Sequence, residues 1–139
     1  MEPQDAIVDI PKTMEKFFGC TGKMLQPSPD TVASVIKKIP KGRVATLDTV
    51  CKRLAKNFKT EVACPATTEK SLCIAATESV KKNKHLPYWR VLKKSGELIR
   101  KFPNGIEGHA ESLVKEGHKI VSTSKSKSVE GFESVLHRF

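Results

Sequence analysis

Two helical stripes of apolar residues, one closely following the other, constrain this chain more than any other feature. Val32, Val35, Ile36 and Ile39 recur at the i, i+3, i+4, i+7 spacing of one helix face, and Leu47, Val50, Cys51, Leu54 and Phe58 form a second such stripe. Pro40 and Gly42 end the first helix, and Arg43, Val44 and Ala45 read as a short extended link. Ser28 has the side chain of an N-cap and Pro29 suits the first helical position, so the first helix begins there. Thr46 is the expected cap of the second, which runs from Leu47 to about Phe58. A chain patterned in this way is mainly α.

A third helix is predicted from about Thr68 to Lys82, capped by Thr67, after a turn around Pro65. It is rich in small residues (Ser71, Cys73, Ala75, Ala76, Thr77 and Ser79). Small side chains bring a backbone close to a partner surface, and they equally allow tight packing in a core. After Pro87, Tyr88 to Leu92 read as a strand, Lys93 to Gly96 as a turn and Glu97 to Lys101 as the return strand. A fourth helix, about Ile106 to Glu116, buries Ile106, Ala110, Leu113 and Val114, with Gly117 as its C′ residue. Helices joined by tight turns and followed by a small, basic β-hairpin wing make the winged helix-turn-helix pattern. The expected organisation is an N-terminal arm over 1–27, a winged-helix domain over 28–118 and a C-terminal extension over 119–139. The arm reads as irregular, with a short helix at Lys12 to Phe18. The extension reads as a strand at Ile120 to Ser122, a mobile Ser/Lys stretch over 122–128, and a helical turn or two carrying Phe132, Val135, Leu136 and Phe139.

With 139 residues, one domain with a core of its own is expected, without need of disulfide or metal. No apolar run approaches the roughly 20 residues a bilayer requires, so no membrane association is expected. The first residues carry Glu2, Asp5 and Asp9 and lack a signal-peptide pattern, which gives a cytoplasmic expectation. Cys20, Cys51, Cys64 and Cys73 form no C-x-x-C pair. They read as free thiols, and neither a metal nor a cofactor is expected.

The net charge is +10, which attracts polyanions. It is unevenly placed. Lys81, Lys82, Lys84, Arg90, Lys93, Lys94, Arg100 and Lys101 fall within 81–101, opposed there only by Glu97. Phosphate contact is therefore expected of Lys70, Lys81, Lys82, Lys93 and Lys94, with Arg43 reaching a phosphate or the first helix's carbonyls.

Three segments carry a family likeness: Ile39-Pro40-Lys41-Gly42-Arg43-Val44-Ala45-Thr46; Leu86-Pro87-Tyr88-Trp89-Arg90-Val91; and Ser95-Gly96 with the later Glu116-Gly117-His118. In order and spacing, over about Pro29 to His118, they resemble the C-terminal domain of the methylguanine-DNA methyltransferases and the alkyltransferase-like proteins. The resemblance implies the winged helix-turn-helix fold, duplex DNA approached through the minor groove, and a monomer acting with repair proteins. The methyltransferases use P-C-H-R, whose cysteine accepts the alkyl group. Tyr88 and Trp89 stand at the Cys and His positions here, so alkyl transfer of the family kind is not expected, and Arg90 keeps the Arg. The family's recognition-helix Arg position, counted back from Asn83, falls on Ile74, which could wedge between bases but supplies no charge. On this likeness Arg43, Thr46, Lys70, Ser71, Ile74, Ala75, Lys81, Lys82, Lys93 and Lys94 form the DNA surface, and Tyr88, Trp89 and Arg90 line a pocket for a base. Strand alternation would send Tyr88 and Trp89 to opposite faces. Two alternatives stand beside this non-catalytic reading. One is alkyl transfer to Cys64, which precedes the third helix, with His85 the nearest histidine in sequence. The other is a protein- or RNA-interaction module on the same scaffold.

Overall fold

In the computed structural model, described for residues 5–82, 86–122 and 126–137, helices predominate and the sheets are small. Lys84, Asn83 and His85, the middle of the Ser/Lys stretch, and Phe139 lie outside the described residues.

The N-terminal segment is ordered, where an irregular arm was expected. It forms β1 (Ala6–Asp9), α1 (Lys12–Phe18) and β2 (Lys23–Gln26). β1 pairs antiparallel with β2, Ile7 opposite Leu25. β2 also pairs in parallel with the short β4 (Val62–Ala63). Helix α2 (Pro29–Ile36) starts at the expected place. Ser28 Oγ accepts from the Thr31 N–H at 3.3 Å. Asp5 reaches the same end, taking the Ser28 N–H at 2.7 Å and the Thr31 hydroxyl at 2.8 Å. The arm therefore supplies an anion where a helix N-terminus favours one.

β3 (Ala45–Thr46) leads into α3 (Leu47–Phe58), where the Thr46 N–H donates to Thr49 Oγ1 at 3.1 Å. Helix α4 (Pro65–Lys81) begins three residues earlier than predicted, with Cys64 and not Thr67 at the cap. The reason is local. Proline's fixed φ suits the first helical position, and the Cys64 N–H is held extended by the Leu25 carbonyl at 2.8 Å.

The expected wing is reduced to its turn. Tyr88–Arg90 coil into a 3-10 turn, and only β5 (Val91–Leu92) is extended. β5 pairs in parallel with β3, Ala45 opposite Val91, and not with a return strand. The Lys93 N–H does close onto the Glu97 carbonyl at 2.9 Å. Beyond it the backbone is claimed by the C-terminal segment: the Leu98 N–H donates to Lys127 O at 2.9 Å and the Val129 N–H to Gly96 O at 3.1 Å. After α5 (Gly105–Lys115), β6 (Ile120–Ser122) and β7 (Lys127–Val129) form an antiparallel pair, so part of the stretch expected to be mobile is a strand. A 3-10 turn, Phe132–Val135, replaces the final helix.

The main core gathers Leu25, Val32, Ile36, Ile39, Val50, Leu54, Leu72, Ala76 and Ile99 between α2, α3 and α4. A second core joins Val44, Leu92, Leu98, Leu113 and Val129, and the half-buried Trp89 packs against both. Among the described residues no helix is long and apolar enough to cross a membrane.

Candidate nucleic-acid interface

Helix α4 has a buried face and an open one. Leu72, Ala75, Ala76 and Ser79 turn inward. The opposite face carries Lys70, Cys73, Ile74, Thr77 and Lys81, which line an open groove of about 630 Å³ with Lys101 on its far wall. No residue of the described part of the N-terminal segment lines this groove. A second groove, about 380 Å³, is lined by Lys93, Arg100, Lys101 and Lys127 together with Glu69 and Glu97. Lys101 belongs to both, so the cations of α4 continue into those of the turn. Among the described residues Lys70, Lys81, Lys93, Arg100 and Lys101 form no ion pair, while Lys127 is held by Glu107 at 2.6 Å. Glu78 also faces the first groove.

The residues expected at a DNA surface divide accordingly. Lys70, Ile74, Lys81 and Lys93 come together along the two grooves. Lys82 is exposed at the C-cap of α4. Lys94 points elsewhere, toward Leu47 and Pro65. Arg43 is exposed near the C-terminal turn, its Nη1 donating to Ser134 O at 3.4 Å. Three expectations are corrected. Ser71 is buried and donates to the Pro27 carbonyl at 2.6 Å. Ala75 is buried on the inward face. The Thr46 hydroxyl is buried and donates to Asp48. Ser71 and Ala75 lie with Leu72 and Ala76 on the inward side of α4, away from Lys70 and Ile74. Lys101, counted in the basic run but not among the expected contacts, joins the two grooves, and Arg100 lines the second.

The segment Tyr88-Trp89-Arg90 is tied into the packing. The 3-10 turn cancels the expected alternation. Tyr88 is buried and sits edge-on to both Phe102 (5.0 Å) and Trp89 (5.3 Å). Burial raises its hydroxyl pKa. Arg90 does not face an open pocket. Its Nε donates to Glu116 Oε1 at 2.9 Å, Nη2 to Oε2 at 2.6 Å, and Nη1 to the Ile39 carbonyl at 2.7 Å. Burial alone would raise the Glu116 pKa, but the hydrogen bonds and charge of Arg90 hold it below its ordinary value.

His109 is the residue that sequence reasoning passed over. It is 1% exposed. The Ile99 N–H donates to its Nδ1 at 3.0 Å, which leaves the proton on Nε2 to donate to the Trp89 carbonyl at 2.8 Å. Both nitrogens of a neutral ring are thereby used. Desolvation pushes its pKa down to about 4, against a smaller opposing effect of the Trp89 carbonyl. One imidazole thus ties α5 to the Tyr88 turn and to the extended segment leading into Lys101. A His between Gly108 and Ala110, without metal-ligand spacing, gave no sequence signal for this.

The candidate nucleophile of the sequence, Cys64, is not presented to solvent. Cys64 is 8% exposed and packs with Ile10 and Met24 beneath the N-terminal sheet. Burial pushes the Cys73 thiol, in the α4 groove, up to about 11, assisted by Glu69. Cys51 is likewise raised to about 11 by burial.

This arrangement of a slender helix, a tethered basic turn and a closing helix is similar in fold to proteins already solved. Two solved structures carry it at 18% sequence identity, each covering 79% of this chain and 94% of its own. One is S. pombe Atl1 in complex with damaged DNA containing O6-carboxymethylguanine, with a TM-score of 0.57. The other is the S. pombe ATL in complex with DNA, with a TM-score of 0.55. No protein-family model and no curated protein matches the sequence.

Proposed function

We propose that this chain is a non-catalytic, monomeric DNA-binding protein that lays the open face of α4 along the minor groove and recognises damaged or distorted duplex, flagging it for repair proteins. The observation that carries the reading is Lys101, which lines both grooves and makes one cationic track from Lys81 and Lys70 to Arg100 and Lys93. Unpaired cations in a row are what a phosphate backbone requires. Small side chains beside them allow the close approach that a minor groove demands, and Ile74 supplies an apolar wedge in place of a charged finger. The solved structures of this fold were both obtained with DNA, one of them damaged. The non-catalytic part of the reading is supported by Tyr88, which stands in the motif at the position of the alkyl-accepting cysteine and is buried.

The test is fluorescence anisotropy on plain, mismatched and alkylated duplexes at two salt concentrations. Affinity is expected to fall as salt rises, and to be highest for a damaged or mismatched duplex. Lys101→Ala is expected to lower the slope of log K against log salt by about 0.9, the value of one phosphate contact. No binding to any duplex at low salt would overturn the proposal, and a modified mass after incubation with alkylguanine DNA would overturn its non-catalytic part.

A further inference from the structure

A cleft of about 590 Å³ lies between the end of α1, the start of α3 and the basic turn, on ground that the DNA-binding reading leaves unused. Its lining includes Phe17, Phe18, Leu47, Pro65, Lys52 and Lys94. Phe17 is 73% exposed, more than any other large apolar side chain among the described residues. A single exposed apolar side chain is ordinary. This one stands at the mouth of a cleft and is held in place. Phe18 is rooted against the Ile10, Met24 and Cys64 cluster, and Phe17 sits edge-on to it at 5.1 Å. The result is an exposed π-face on a fixed support.

The charges around it are specific. Lys52 and Lys94 have no ion-pair partner among the described residues. The two carboxylates facing the cleft are already engaged: Glu61 accepts the Lys23 N–H at 2.5 Å, and Asp48 Oδ1 accepts the Thr46 hydroxyl. That leaves one oxygen on each, Glu61 Oε1 and Asp48 Oδ2, as acceptors for the edge of a base. The cleft lies near the start of the α4 track, since Pro65 lines one and its neighbour Ala66 the other.

We infer that this cleft receives an unpaired nucleobase of single-stranded DNA, stacked on Phe17, with its neighbouring phosphates on Lys52 and Lys94. A ring for stacking beside cations for the backbone is the pattern by which single strands are held without regard to sequence. The inference rests on the DNA-binding reading for its partner class. It adds a second site, reached by a strand displaced or left unpaired next to the duplex on α4.

The experiment measures wild type, Phe17→Ala and Phe17→Trp against a short single-stranded oligonucleotide and a blunt duplex, by anisotropy and by quenching of 2-aminopurine placed in the single strand. Phe17 is exposed enough that its removal leaves the fold intact, which circular dichroism checks. Phe17→Ala is expected to weaken single-strand binding about fivefold or more and to abolish the quenching. Phe17→Trp is expected to restore both, and duplex affinity is expected to stay unchanged throughout. Lys94→Ala is expected to lower the single-strand salt slope by about 0.7. A Phe17→Ala protein that binds the single strand like wild type, or that loses duplex and single strand equally, overturns the inference. Failure of the wild type to bind blunt duplex, with the single strand still dependent on Phe17, would refute the duplex reading and leave this site standing.

Discussion

Acidification is expected to destabilise this protein well above the pH at which its carboxylates titrate, and the cause is His109. Its folded pKa lies at about 4, against 6.5 for a free histidine. The sign follows from proton counting. Between those two values the unfolded chain holds a proton that the native imidazole refuses, so unfolding is favoured as pH falls. The stabilisation is fully present above about pH 6.5, declines below it, and is exhausted near pH 4. Integrating the linkage relation from pH 7.5 to 4.5 gives a loss on the order of 2–3 kcal/mol from this one ring. His118 and His137 are also lowered, both by burial first, and add a background in the same direction. Urea unfolding of wild type and His109→Gln at both pH values isolates the His109 part. Glutamine can accept from the Ile99 N–H and donate to the Trp89 carbonyl without titrating, so the variant is expected to lose about 2 kcal/mol less on acidification. Equal losses in the two proteins would refute the reasoning, as would a His109 proton resonance that titrates near pH 6.5 in the folded state.

Three further substitutions separate packing from contact. Gly96→Ala is expected to cost roughly 2 kcal/mol or more, read from the urea midpoint. Gly96 sits at φ +86, where a side chain is strained, and a β-carbon there would run into the Phe132 ring. Arg90→Lys keeps the charge but loses the fork that binds both Glu116 oxygens and the Ile39 carbonyl. A loss of about 3 kcal/mol is expected in the same assay, approaching that of breaking a buried pair. Ser71→Ala leaves the buried Pro27 carbonyl without its donor and is expected to cost about 1–2 kcal/mol in thermal unfolding. Duplex affinity, measured in parallel, is expected to stay unchanged.

Local chemistry was readable in the sequence, and distant pairing was not. The Ser28–Pro29 start of α2, the Thr46 start of α3, the short helix Lys12–Phe18 and Gly117 after α5, at φ +92, all follow from side chains acting within a few residues of themselves. The two-residue strands β3, β4 and β5 carry no periodicity and exist only because a remote partner is present. The wing was misread for the same reason: alternation along 88–101 is overridden by β3 on one side and residues 127–129 on the other. The face of α4 was hidden by its composition. With alanine, serine and threonine on every side, no apolar stripe separates Lys70 and Ile74 from Ser71 and Ala75, and only packing against α2 decides.

The tail that claims the turn also sets an order of assembly. Val44 donates to Val135 and accepts from His137, and the neighbouring contact of Arg43 with Ser134 spans 91 residues. Closing so long a loop costs entropy before its contacts repay it. The α2–α4 layer is built from near neighbours and can collapse first. Leu98, Leu92 and Val44 then stay wet until the tail arrives, so a kinetic intermediate of this protein should be open at that seam, and proteases should cut it there.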